Sequence, residues 1–377
     1  MRVGVNTLFL VPGDVGGTET YLRETLLAAV KEYPDVEFIL YTNRENDSLF
    51  KKLFAGRRNV RNTCLKFRAA VRPLRIVLEQ LWLPIAVWRS KVDVLWSPGY
   101  TAPFFVPCPQ VVTVHDLQYK SHPDDLSPLE KITLDGLVRI ACRQCARIVT
   151  VSQFSKEEIL RFGFAPAEKV IAVLEGVDRS FGEPVQDPSV VAELRLPATV
   201  PFILCVAHTY PHKNVHRLIE AFSMICHEIP HNLVIVGKER LGEPAVRHAI
   251  AGMPCPDRLY RFQNGVSFGA LRYLYQQADI FVLPSAYEGF GLPVLEAMMA
   301  GTPVVTSRMA SLPEVAGDFA FYYEKADARS IADSIKSAVA MTPEHRIMWC
   351  NRARAWAESF TWQETARKLN GVFNQLA

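Results

Sequence analysis

The sequence predicts an α/β protein built from two successive Rossmann-like, doubly wound domains facing each other across a central cleft. Three observations carry that expectation. Short apolar runs alternate with longer amphipathic ones along the chain, the pattern of parallel strands joined by helices. A proline-bearing interval, 180–201 with Pro184, Pro188, Pro197 and Pro201, interrupts that pattern, which then restarts. At 377 residues the chain is too long for one ordinary core and suits two. The expected division is a first domain at 1–183, a linker at 184–200, a second domain at 201–355 and a closing helix at 356–377 that returns to the first.

In order, the strand candidates of the first half are RVGVNTLFL (2–10), VEFILY (36–41), VDVLW (92–96), QVVTV (110–114), RIVTV (147–151) and KVIAVL (169–174). The second half restarts with FILCVA (202–207), NLVIV (232–236), RLYRF (258–262), DIFVL (279–283) and PVVTS (303–307). Helices are expected between them, Val215–His227 and Ala270–Gln277 among them. In such sheets ligands sit at the carboxyl ends of the strands, so strand-end residues are the first to weigh.

Composition narrows the class. About half the residues are apolar and a fifth charged, as in a globular chain. The longest uncharged stretch, Val94–Val114, carries Pro98, Pro103, Pro107 and Pro109, which argues against a membrane-crossing helix. The eight cysteines are scattered and Met1-Arg2 leads straight into a strand-like run, so a reducing, cytoplasmic setting is expected. Cys142 and Cys145 have C-x-x-C spacing without a second pair nearby and read as packing residues on one helix.

Charge is unevenly spread. Residues 51–91 hold eleven Lys/Arg against Glu79, a local charge of +10, which leaves the remainder of the +3 chain at −7. Trp82, Trp88 and several Leu and Phe are interleaved, as on a helix resting on anionic lipid head groups at a membrane's inner face. A packed helix with a solvated basic face is the plainer alternative. No nucleic-acid-binding motif accompanies the patch, and nucleic acid is not expected as a partner.

The stretch SAYEGFGLPVLEAMMAGTPVV (285–305) sets two acids, Glu288 and Glu296, eight residues apart around Gly289, Gly291 and Pro293. Pro293 suits the first turn of a helix, and Glu296 is expected on that turn, with Glu288 in the preceding loop. Glycine backbone and a helix start together suit a phosphate or diphosphate. An ionised carboxylate can grip two neighbouring hydroxyls, as sugars and riboses present. Spacing alone leaves open that Glu296 merely stabilises its helix and that Glu288 is a solvated loop residue.

EGFGLPVLEAMMAGTPVV closely resembles the E-x7-E signature of retaining glycosyltransferases of family 4, which have the GT-B architecture, and the resemblance extends over nearly the whole chain. It implies that Glu296 holds the donor ribose and that Glu288 contacts the transferred sugar with backbone amides of Gly289, Phe290, Gly291 and Leu292. GDVGGTETYLRETLLAAV (13–30) resembles the family's glycine loop, where Gly16 and Gly17 let the backbone approach phosphate or acceptor. Its spacing is not that of a dinucleotide fingerprint. VVTVHDLQY (111–119) resembles a strand-end histidine motif, which implies that His115 contacts the transferred sugar. LCVAHTYPHKNVHRLIEAF (204–222) resembles the segment opening the donor domain. Lys213 matches its diphosphate-binding lysine, whereas His208 stands where an arginine is usual. FQNGVSFGALRYLYQQADIFVLPS (262–285) resembles the base-seating region, with Asn264 and Val266 as neighbours of the base. FTWQETARKLNGVF (360–373) resembles the last helix, with Trp362 packing. TVSQFSKEEI (150–159) reads as a helix cap by Ser152 or Ser155 with Glu158.

The implied activity is transfer of a sugar from a nucleoside diphosphate sugar to a hydroxyl of a glycan or lipid-linked acceptor, with retention, in envelope or exopolysaccharide synthesis and mannosyltransferase-like. His115, Glu288 and Lys213 are the implied catalytic residues. No D-x-D pair occurs, so neither metal nor other cofactor is expected. Two rivals share the frame: a sugar-nucleotide epimerase and a non-catalytic sugar-nucleotide-binding subunit, the latter encouraged by His208.

Overall fold

The computed structural model describes residues 1–123, 126–197 and 200–377. The chain divides into two compact units. One comprises 1–117, 126–176 and 361–377; the other comprises 118–125 and 177–360.

The first unit runs β1 (Arg2–Asn6), α1 (Gly17–Glu32), β2 (Glu37–Thr42), α2 (Asp47–Leu53), β3 (Val60–Cys64), α3 (Arg72–Ser90), β4 (Val94–Ser97) and β5 (Gln110–Thr113). After the short α4 (Gln118–Ser121), which groups with the second unit, come α5 (Pro128–Gln144), β6 (Arg147–Thr150), α6 (Gln153–Arg161) and β7 (Val170–Ala172). The all-parallel sheet has the order β3-β2-β1-β4-β5-β6-β7. The middles of its central strands are apolar because helices cover both faces; Val3, Val5, Val94, Leu95, Val111 and Val112 are fully buried.

β1 ends at Asn6, short of the expected 2–10. Thr7–Leu10 instead turns out of the sheet, with Leu10 N donating to Thr7 O. The buried amides of Asn43 and Asn46 satisfy that turn by donating to the carbonyls of Thr7, Leu8 and Leu10. Asn6 donates to the buried Glu79 carboxylate at 2.8 Å, and burial pushes that carboxyl upward. The closing helix, α15 in chain order (Trp362–Asn374), belongs to this unit and packs on α1. Trp362 is buried with its ring 6.4 Å from Tyr21, and Thr365 Oγ1 donates to Leu174 O at 2.7 Å.

The second unit runs α7 (Pro188–Leu194), β8 (Phe202–Val206), α8 (Val215–Ile225), β9 (Asn232–Val236), α9 (Glu243–Ala251), β10 (Leu259–Phe262), α10 (Phe268–Gln277) and β11 (Ile280–Leu283). It continues with α11 (Leu292–Ala300), β12 (Val304–Ser307), α12 (Leu312–Ala316), β13 (Ala320–Tyr323), α13 (Ala328–Val339) and α14 (Pro343–Ala357). Its parallel sheet has the order β10-β9-β8-β11-β12-β13. Leu218, Phe222 and Ile225 of α8 and Ile331 and Ile335 of α13 pack on Ile203, Leu233 and Val282 of the strands. In both sheets the order reverses beside the first strand, between β1 and β4 and between β8 and β11, which creates a switch point for ligands.

Several local expectations change. The division falls at 176/177 and 360/361 rather than at 183 and 356. The expected linker at 184–200 contains α7, started by Asp187 accepting from Ser189 N; its residues 198 and 199 lie outside the described residues. Two edge strands, β3 and β13, were not anticipated. α6 is capped by Ser152, which accepts from Ser155 N at 3.0 Å. Cys145 lies just beyond α5 in extended backbone, and burial pushes its thiol and that of Cys142 up, the latter to about 12. Cys226 and Cys255, read as scattered thiols, form a disulfide pair in the second core. Among the described residues no helix is long and apolar enough to cross a membrane.

Candidate active site

In the second unit the residues singled out by sequence gather at the β8/β11 switch point. After β8 the chain makes a 3-10 turn, Pro211–Lys213, and Asn214 takes φ 51° and ψ 28° before α8 begins. That turn aims Lys213 at the loop after β11. Lys213 Nζ lies 2.6 Å from Glu288 Oε2, with the two side chains only 21% and 11% exposed. The other carboxylate oxygen, Oε1, accepts from Ser285 Oγ at 2.7 Å. Backbone ties the two loops together, since Ala286 N donates to His212 O at 2.8 Å.

Two serines from the β12 side brace the same loop. Ser307 Oγ donates to Ser285 O at 2.7 Å. Ser311 Oγ lies 2.9 Å from Glu288 O and 2.7 Å from Phe290 O, a bifurcated contact. Gly291 then caps α11 at φ 114°, a conformation side chains resist; a Cβ there would meet Leu312 at 3.0 Å. No side chain caps α11, and Pro293 lies in its first turn. Phe290 and Leu292 are buried.

Glu296 is corrected by one turn. The helix starts at Leu292, so Glu296 is its fifth residue and no acid lies in the first turn. Its Oε2 accepts from Tyr275 OH at 2.8 Å. Tyr275 is fully buried, and its hydroxyl is pushed well above the usual phenol range by burial first and the Glu296 charge second. Tyr275 therefore serves as a fixed donor.

The loops after β8, β9 and β10 meet on the other side of the switch point. His208 Nδ1 accepts from Lys238 N at 3.0 Å, which sets the Nε2–H tautomer. Burial pushes the ring's pKa down to about 4, aided by the charges of Arg240, Lys213 and Lys238, so His208 is neutral at physiological pH. It donates an N–H but supplies no charge, unlike the arginine usual at that place. Thr209 Oγ1 accepts from Arg240 N at 2.7 Å. Asn264 is exposed and Val266 half-buried in the loop after β10, and Gln263 joins that loop to the next through Glu239 at 2.8 Å.

In the first unit, Gly16 caps α1 at φ 58° and ψ −131°, a region open to glycine, and Gly17 opens the helix without a side-chain cap. His115 lies two residues beyond β5, at the carboxyl end of the sheet. Its ring is buried, Nε2–H donates to Pro98 O at 2.9 Å, and Nδ1 faces Glu175 Oε1 at 3.8 Å. Tyr21 stands edge-on to it at 4.9 Å and Tyr100 tilted at 5.3 Å. Both ring nitrogens thus meet protein atoms of the same unit.

Sequence reasoning missed Tyr275, Ser285, Ser311, Lys238 and Arg240. A readable signal existed for the last two, because KER (238–240) follows the β9 run after the single residue Gly237. Among the described residues no three His, Cys, Asp or Glu side chains gather as metal ligands.

Two family models match in succession: "Glycosyltransferase Family 4" over residues 15–181 and "Glycosyl transferases group 1" over 188–356. The O-antigen chain mannosyltransferase RfbU of Salmonella typhimurium is 27% identical over 316 residues, 82% of this chain and 84% of that protein. The O-antigen chain mannosyltransferase B of Escherichia coli is 29% identical over 69% of each chain. Among solved structures, Anabaena HepE in complex with UDP and glucose aligns over the full length of both chains at 20% identity with a TM-score of 0.77. A sucrose-phosphate synthase from Thermosynechococcus elongatus aligns with a TM-score of 0.78 at 17% identity, covering all of this chain and 98% of its own. The fold is GT-B, and the chain belongs to the family 4 glycosyltransferases.

Proposed function

We propose that this glycosyltransferase moves a mannosyl or similar hexosyl group from a nucleoside diphosphate sugar to a hydroxyl of a glycan or lipid-linked acceptor, with retention at the anomeric carbon. The observation that carries this reading is the Lys213–Glu288 pair at the β8/β11 switch point, with Glu296 eight residues further along the chain, the fifth residue of α11. The names of the two O-antigen mannosyltransferases support the sugar and the setting in envelope polysaccharide synthesis.

In the transfer, the bond from the anomeric carbon to the diphosphate oxygen breaks and a bond to the acceptor oxygen forms on the same face. The acceptor proton passes to the departing diphosphate. Lys213, the uncapped start of α11 at Gly291 and Leu292, and the His208 N–H stabilise that leaving group. Glu288, with the amides of Gly289 and Phe290, orients the sugar, and His115 borders it. Glu296 holds the ribose hydroxyls, Asn264 and Val266 adjoin the base, and Gly16 and Gly17 admit phosphate or acceptor. Lys213 and the helix start supply the positive charge that a metal supplies elsewhere. The enzyme works on the cytoplasmic side, peripherally on an anionic membrane face.

A thermal-shift panel of GDP-, UDP-, ADP- and dTDP-sugars tests the donor. A true donor at about one hundred times its Kd adds ~2.7 kcal/mol to folding stability. The expected result is a selective shift with one base and acceptor-dependent release of nucleoside diphosphate. An isomerised donor formed without acceptor would identify an epimerase, and binding without turnover on every acceptor would identify a binding subunit.

A further inference from the structure

α3 inverts the usual distribution of a surface helix. Its inner side packs well: Leu83 and Val87 are buried against Ile39, Tyr41 and Leu95. Its outer side is apolar as well. Leu74, Val77, Leu81, Ile85 and Trp88 recur at spacings of three and four, so they share one face, and they are exposed by 45% at Leu74 up to 67% at Trp88. Trp82 flanks them, also half exposed. A row of large apolar side chains this long, facing water on one helix, marks an interaction surface.

Beside this row lies a cavity of about 560 Å³, formed by Trp82, Ile85 and the last turn of α3 against edge strand β3. Arg61, Arg89 and Lys91 line it. Arg2 also lines it but is paired with Glu37 at 2.9 Å. Arg61, Arg89 and Lys91 have no ion pair among the described residues. Ile85 belongs to both the row and the cavity, and Trp82 beside the row lines the cavity too, so apolar and basic parts form one continuous surface. It lies within the 51–91 segment, whose charge is +10.

We propose that the outer face of α3 and the adjoining basic cavity form a docking surface for an anionic phospholipid bilayer. Leu81, Ile85 and Trp88 enter the acyl boundary while Arg61, Arg89 and Lys91 hold lipid phosphates. The inference rests on the reading of the enzyme as peripheral on a membrane and identifies the surface that makes it so. Charge complementarity selects this occupant. A second copy would oppose two strongly basic faces, and a purely anionic polymer leaves the Leu–Ile–Trp row uncovered.

The test is co-sedimentation of the full chain with vesicles of phosphatidylcholine alone or with about a third phosphatidylglycerol. Two variants accompany it: Leu81→Ser/Ile85→Ser/Trp88→Ser and Arg61→Glu/Arg89→Glu/Lys91→Glu. All six positions are exposed, and the donor-induced thermal shift checks that both variants fold. Wild type is expected to pellet with the anionic vesicles only, and less so at high salt. Each variant is expected to lose at least tenfold in partition, with Trp fluorescence of wild type moving to the blue on binding. If wild type stays in solution, the membrane reading itself fails. If wild type pellets and both variants pellet equally, the membrane reading stands and this surface is overturned. Self-association abolished by the serine variant, without vesicle binding, would give the face to a second copy and also overturn the proposal.

Discussion

Replacing Lys213 by alanine removes one end of the 2.6 Å pair with Glu288 and leaves the Ser285 hydroxyl as the remaining hydrogen-bond donor to that carboxylate. Hydrogen bonds to a charged group contribute about 1.5–3 kcal/mol. Lys213 is one-fifth exposed, so water recovers part of the loss and about 1–2 kcal/mol of stability should go. For a unit of this size that lowers its thermal transition by roughly 2–8 °C. Catalysis should suffer more, because a fixed charge opposite the departing diphosphate is removed: about 10²–10³ in kcat, with a smaller change in donor KM. Nucleoside diphosphate release in the presence of acceptor measures the rate, and urea denaturation measures the stability. Glu288→Gln and the double variant complete a cycle. Because each single change deletes the same pair, the double variant should lose about 1 kcal/mol less than the sum. Stability effects that add to within about 0.3–0.5 kcal/mol, with turnover inside threefold of wild type, would refute the reasoning.

Three further outcomes are expected. Tyr275→Phe removes the 2.8 Å bond to Glu296, so donor KM should rise several-fold with kcat little changed; an unchanged KM would separate Glu296 from the ribose. Gly291→Ala forces a side chain to φ 114° and against Leu312, which should cost about 1–3 kcal/mol in urea denaturation and weaken donor binding; a neutral result would mean that the loop relaxes freely. His208 has its pKa lowered from 6.5 to about 4 in the fold, so the unfolded chain binds more protons between those values. The stability it contributes is therefore complete above pH 6.5 and lost as pH falls towards 4, by about 1–2 kcal/mol after allowing for its partial exposure. Denaturation of His208→Asn at pH 7 and pH 5 should show about half that amount less pH dependence than wild type, because pH 5 lies between the two values.

The parallel strands were legible because strands covered on both faces are apolar without interruption, as in FILCV and IFVL. β3 escaped notice because its sequence, VRNTC, is largely polar and half exposed at a sheet edge. Glu296 was placed a turn too early because Pro293 is compatible with either of the first two helical positions, and only the backbone of Gly291 decides that Leu292 comes first. Glu288 and Lys213 were each singled out, yet their meeting was not. They are 75 residues apart, and what joins them is the register of β11 on β8, Ile280 beside Ile203. The serines that brace the Glu288 loop were invisible for the same reason, since a serine gains its role from the carbonyl it reaches.

His208 also shows where the missing guanidinium charge has gone. After burial, three cations from two adjacent strand ends, Arg240, Lys213 and Lys238, lower its pKa. A proton on the ring is therefore disfavoured by the same field that favours an anion beside it. An arginine at 208 would add a further positive charge to a pocket that already holds Lys238 and Arg240 in the loop after β9. A neutral imidazole costs less to keep half-buried there and still offers its Nε2–H, because Lys238 N occupies Nδ1 at 3.0 Å. On the proposed reading, positive charge for the diphosphate is thus shared between Lys213 and the β9 loop. The departure at 208 is then a relocation of charge within the donor site, and it gives no support to a subunit that binds donor without turnover.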